Sequence, residues 1–137
     1  MRLQYLIESD WAVWWLRQRS DVVAAVKARE QDGLAMSIIT LAELYEGIEL
    51  TRDPAAGRKG LQDFLQLITI LPVTPRVTEL FGKEAARLER LGQRIPDFDL
   101  VIGVTALHHG LTLLAEDAHF DRLPSLVRQS LSSPSPG

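Results

Sequence analysis

Short runs suited to strands recur along the chain at Leu3–Ile7, Ala35–Ser37, Ile68–Val73 and Leu111–Leu114, and each is separated from the next by stretches of helical periodicity. No other feature constrains the fold as tightly. Runs this short suit strands buried on both faces, and helix-length connections between them leave successive strands parallel. A further run, Leu126–Arg128, is a candidate edge strand. The expected architecture is α/β: a three-layer domain with a mainly parallel central sheet of four to five strands flanked by helices. At 137 residues the chain has the size of one such domain.

The helices are punctuated by recognisable stops and starts. Asp10–Arg17 and Asp21–Gln31 are expected helices, the second halted by Gly33. Thr40 stands three residues before Glu43, the spacing of a capping box that would open a helix running to Leu50. Asp53-Pro54 and Thr74-Pro75 each pair an N-cap with proline at the first helical position, and Gly92 and Gly110 close the last two long helices. Asp97 is expected as the cap of the helix ending at His109. The Ser/Pro-rich tail, 130–137, is expected to be disordered, which leaves 1–129 as the folded domain.

Composition removes several classes. Cysteine is absent, so disulfides and thiolate metal sites are excluded, in keeping with a reducing cytoplasm. The longest apolar stretch, Leu100–Leu107, falls far short of the ~20 residues of a membrane span, and no basic leader with a long apolar core opens the chain. A net charge of −3 argues against a strongly basic nucleic-acid binder. It leaves room for an enzyme that meets phosphates through cations held on acids. Twelve of the 15 basic residues are Arg, the others being Lys27, Lys59 and Lys83, and Arg suits phosphate contacts.

The acids are the chemically suggestive residues. Glu8 and Asp10 follow the first strand, Glu43 the second, and Glu116 and Asp117 the fourth, while Asp97 and Asp99 open the helix before it. In a parallel sheet all of these lie at the carboxyl edge, where such folds place their sites. Singly, each is an ordinary helix-start residue. Together, carboxylates ~4 Å apart repel by about 4 kcal/mol at an effective dielectric near 20, so a converging set calls for protons or cations. Hard divalent cations take oxygen ligands and can activate water against a phosphodiester.

The segments "YLIESDWAV", "SIITLAELYEGI" and "IPDFDLVIGVTALHHGLTLLAEDAHFDRLPSL" resemble PIN-domain proteins of the VapC toxin type, a family of Mg²⁺- or Mn²⁺-dependent ribonucleases paired with antitoxins. The resemblance covers nearly the whole chain. It implies a PIN-like fold and an endoribonuclease acting as the toxin of a type II toxin–antitoxin pair. Its implied partners are RNA, a VapB-type antitoxin and a second copy of the chain in a homodimer. The family's acidic positions fall on Glu8, Glu43, Asp99 and Asp117 as metal ligands, with Asp10 orienting water or a ligand; Ser9, Ser37 and Thr40 flank them. The family carries Asp where this chain has Glu8, and the longer arm implies a looser site. His119 and Phe120 match the family's "HF" and are read as structural.

Two other readings compete with this one. A receiver-like signalling domain needs a phosphoacceptor Asp after the third strand and a Lys after the last; Val73-Thr74-Pro75 and the three lysines supply neither. A PIN-like domain that binds its partner with weakened catalysis stays open because of Glu8. Trp11, Trp14 and Trp15 stand at helical spacing, and either core or an antitoxin groove suits them. Covalent catalysis has no Ser–His–acid pattern to support it, and the glycines form no P-loop.

Overall fold

The computed structural model describes residues 2–133. Five strands, β1 (Tyr5–Ile7), β2 (Leu34–Ser37), β3 (Thr69–Leu71), β4 (Thr112–Leu114) and β5 (Arg128–Gln129), form one sheet in the order β3-β2-β1-β4-β5. Every pairing is parallel, with Leu6 opposite both Ala35 and Leu113. Six helices connect them: α1 (Ser9–Leu16), α2 (Ser20–Lys27), α3 (Ile38–Glu49), α4 (Pro54–Leu65), α5 (Pro75–Arg90) and α6 (Asp97–His109).

Alternation along the central strand separates two cores. Leu6 faces the cluster built from Val77, Leu88, Leu100 and Val104 of α5 and α6. Tyr5 and Ile7 face the opposite cluster, with Trp11, Val22, Leu44, Leu61 and Phe64 of α1–α4. This is the expected three-layer α/β arrangement, with side chains two apart sharing a face. Because β1 lies between β2 and β4, the chain turns outward in opposite directions from it. The crevice at the carboxyl end of β1 is a topological switch point.

Several local expectations are met and others corrected. Asp53 and Thr74 cap α4 and α5 by accepting from Ala56 N and Val77 N, each followed by proline. Gly110 ends α6 at φ 65°. The capping box does not form. Ser37 is the N-cap of α3, accepting from Ile39 N, so Thr40 is buried inside the helix and Glu43 lies beyond its first turn. Asp97 makes no cap hydrogen bond, because its carboxylate is taken by Arg94 at 2.8 Å. The expected helix to Gln31 stops at Lys27, followed by a 3-10 turn at Glu30–Asp32.

The start of the tail folds back. Leu131 N donates to Glu116 Oε2 at 2.8 Å, Leu131 packs on the α1–α4 core, and Ser133 N bonds Ser130 O. Residues 134–137 of the expected tail lie outside the described residues.

Arg29 ties this end of the chain to the beginning. It is 1% exposed, and its Nε and Nη2 donate to Gln129 Oε1 at 3.2 and 3.0 Å while Nη1 donates to Ala25 O at 2.8 Å. Its guanidinium also sits over the rings of Tyr5 and Trp11. Its hydrogen-bond partners among the described residues are amide and carbonyl oxygens, none of them a carboxylate. Gln129→Ala is therefore expected to destabilise the fold by about 1–3 kcal/mol, the desolvation left unmet at a buried donor, read as a lower urea midpoint. An unchanged midpoint would show that water replaces the amide.

Candidate active site

The acids that follow β1, β2 and β4 are held by short-range bonds. Glu8 is the N-cap of α1 and accepts from Asp10 N at 2.9 Å through Oε1, while its own N–H donates to Leu114 O across the β1–β4 seam. Only 5% of Glu8 is exposed. Burial pushes its carboxyl up to about 8; the Asp10 N–H pulls against this, and the nearby Asp10, Asp99 and Glu43 push the same way as burial.

Ser9 links two elements. Its Oγ donates to Glu43 Oε1 at 2.6 Å and lies 3.0 Å from Thr40 Oγ1, so α1 and α3 are joined beneath the half-buried Glu43 carboxylate. Burial raises the Glu43 carboxyl, the Ser9 bond lowers it, and Asp99 and Asp10 raise it again.

Asp99 and Asp117 meet at His119. Nδ1 of His119 lies 3.2 Å from Asp117 Oδ2, and Nε2 lies 3.0 Å from Asp99 Oδ2, the latter off the line a hydrogen bond needs. Asp117 caps the 3-10 turn Ala118–Arg122 by accepting from His119 N. Burial raises the Asp99 carboxyl; His119 lowers it, while Asp10 and Asp117 raise it. Gly103 lets α6 lie against this turn, since a Cβ there would stand 2.7 Å from Leu123 Cδ1. The "HF" pair after the last acid was the sequence signal for His119, although its bridging of two carboxylates was not legible from it.

Glu8, Asp10, Glu43 and Asp99 thus share one electrostatic neighbourhood, and Asp117 joins through Asp99 and His119. Glu116 does not. Its Oε2 accepts from Trp11 Nε1 at 3.0 Å and from Leu131 N, so it anchors structure rather than facing the crevice. Asp121 is paired to Arg128 at 2.9 Å, which lowers its carboxyl.

Among the described residues, no three His, Asp or Glu side chains stand close enough in their present rotamers to hold one ion together. The donor chemistry nevertheless fits Mg²⁺. That ion keeps several waters and commonly takes only one or two carboxylates besides substrate phosphate. Oxygen donors pushed towards protonation by burial, and further by one another's charge, gain from a cation.

A five-stranded parallel domain with carboxylates at its switch point defines a class of acid-lined α/β proteins. The family model of the PIN domain matches residues 5–126, and the chain belongs to that family. It is 28% identical over 125 residues to "Ribonuclease VapC2" of Haemophilus influenzae, covering 90% of this chain and 95% of that one. It is 22% identical over 131 residues to the "tRNA(fMet)-specific endonuclease VapC" of Shigella flexneri, covering 95% and 99%. In fold it matches VapBC2 from Rickettsia felis, solved bound to a promoter DNA fragment, with a TM-score of 0.87 at 24% identity over 93% of this chain and 98% of that one.

Proposed function

We propose that the chain is a metal-dependent endoribonuclease and the toxin of a type II toxin–antitoxin pair. The observation that carries this reading is the electrostatic coupling of Glu8, Glu43 and Asp99 at the switch-point crevice of a PIN domain. Curated relatives named as VapC ribonucleases support it. A divalent cation bound here would neutralise phosphate charge and lower the pKa of a water. Glu43 and Asp99 would be its principal ligands, with Glu8 and Asp117 completing the set. Ser9 fixes the Glu43 carboxylate, and His119 holds Asp99 against Asp117. Asp10, exposed at the rim, orients water or a ligand. Mg²⁺ or Mn²⁺ suits these oxygens equally in kind.

The purified chain, free of partner, is expected to cut single-stranded RNA with Mg²⁺ or Mn²⁺ and to stop when the metal is chelated. RNA left intact with both metals would instead favour a partner-binding domain without catalysis. Glu8 supports that second reading, because its arm is one methylene longer than the Asp of the resembling family and burial favours its protonated form.

The VapBC assemblies among the structural neighbours support an antitoxin partner. The surface that fits one is a groove of about 280 Å³ between α1, α3 and α4, lined by Val13, Leu16, Leu44, Ile48 and Gly57. Of the two readings open to the tryptophans, the core is the one that Trp11 and Trp15 take, on the same helix that borders the groove. Trp11 is fully buried, Trp15 stacks on Phe64 at 4.3 Å, and Trp14 stays partly exposed under the Arg19 guanidinium, while Val13 and Leu16 line the groove. A second copy of the chain remains an expected partner, and a cytoplasmic location belongs to the same reading. No described helix is long and apolar enough to cross a membrane.

A further inference from the structure

Phe98 lies in the first turn of α6 between Asp97 and Asp99, is 53% exposed, and belongs to neither apolar core. Its backbone neighbour Asp99 touches His119, which in turn touches Asp117. Three residues beyond His119, Arg122 reaches back to the loop that precedes α6, where its Nη1 donates to Gln93 O at 3.3 Å and Arg94 O at 3.2 Å. Both acceptors are neutral carbonyls. The surrounding arginines are different: Arg87 pairs with Glu84, Arg94 with Asp97 and Glu89, and Arg128 with Asp121. Arg122, like Arg90 at the end of α5, has no carboxylate within ion-pair distance among the described residues.

Phe98 thus stands one residue before Asp99 at the exposed start of α6, and the Arg122 guanidinium lies against the loop that leads into the same helix. We propose that this side of the crevice is a track for single-stranded RNA, with Phe98 stacking one base beside the bond to be cut and Arg122 holding a backbone phosphate. The inference rests on the ribonuclease reading and names how substrate would lie in that site. The charges around the ring favour RNA over a protein surface. A protein anchor needs a desolvated apolar pocket around it, whereas Phe98 is bordered by Asp97, Asp99 and the arginine-bearing loop. Base stacking uses only the ring's face and tolerates a wet, charged rim. The strand must be single, since a base paired within a helix cannot be offered to a ring.

Binding is measured on Asp99→Asn protein with Mg²⁺, so that the RNA stays whole, using a labelled single-stranded RNA of about 12 nucleotides. Adding Phe98→Ala is expected to weaken binding by about tenfold, while Phe98→Trp keeps it. A series of RNAs, each with one abasic position, should contain one that binds Asp99→Asn protein about tenfold more weakly yet shows no such penalty with Phe98→Ala. Arg122→Ala should reduce the slope of log affinity against log salt by about 0.7, one phosphate on a single strand, and Arg122→Lys should restore it.

An abasic penalty that survives Phe98→Ala, or a salt slope indifferent to Arg122, overturns the proposal. So does a Phe98→Ala protein that binds RNA normally but loses self-association by light scattering, since a second copy would then cover the ring. Cleavage by the unmutated chain is scored separately. A chain that cuts RNA without these effects loses only the track, and one that shows them without cutting loses only the enzymatic reading.

Discussion

Asp99→Asn protein is expected to fold as the parent does and to lose RNA cleavage by at least about a hundredfold, the upper end of what loss of an outer-shell partner of a metal ligand produces. The substitution keeps the shape of the side chain and removes the charge a cation would need. Folding should not suffer, because Asp99 sits where burial and its neighbours Asp10 and Asp117 already disfavour its ionised form. His119 retains an oxygen to face at the same position. Cleavage and thermal melting, measured on the same preparation, separate the outcomes. Undiminished cleavage would remove Asp99 from the mechanism, whereas a collapsed melting temperature would show its role to be structural.

The metal-free chain is expected to lose stability as pH rises, with Glu8 the largest single source. Between 4.5, the ordinary value, and about 8, the folded chain keeps a proton on Glu8 that the unfolded chain has already released. Each step upward in that window therefore favours unfolding, and the full penalty is present above about pH 8. A shift of this size corresponds to something on the order of 5 kcal/mol for so buried a group. Glu43 and Asp99 are displaced in the same direction and add to the slope. Urea unfolding at about pH 5 and about pH 8.5 should show the fall, and Glu8→Gln should remove most of it. Divalent metal should restore stability chiefly at the alkaline end, because it binds the deprotonated ligands of the folded form. A Glu8→Gln protein with the parent's full pH slope would show that Glu8 is solvated and ordinary.

What could be read from the residues was whatever depends on short-range pattern. The strand-length runs around Leu6, Ala35 and Leu113 alternate with helices, and the parallel sheet with its two cores follows from that alternation. Asp53-Pro54 and Thr74-Pro75 act within four residues, so those helix starts were legible too. Thr40 and Glu43 misled because the motif also needs a helix to begin there. Ser37 caps three residues earlier, and Thr40 turns inward to Ser9 instead. The partners of Glu116, Trp11 and Leu131, come from opposite ends of the chain, and no local spacing encodes such a meeting. The acids could be placed at one edge of the sheet as a group, with Ser9 and His119 beside them; the contacts that the hydroxyl and imidazole make with those acids came only with tertiary structure.

Gln129, the last residue of the last strand, meets the guanidinium of Arg29, which is buried beside the first strand. This contact bears on biosynthesis. A nascent chain that has not yet delivered Gln129 leaves a buried cation without its amide and the sheet without its fifth strand. The crevice acids also arrive one segment at a time, with Asp117 emerging only shortly before that closure. Ribosome-bound intermediates and prematurely terminated fragments would therefore carry the acids without the frame that gathers them. A nuclease of this design would gather its acids only after Gln129 has been made and has closed on Arg29.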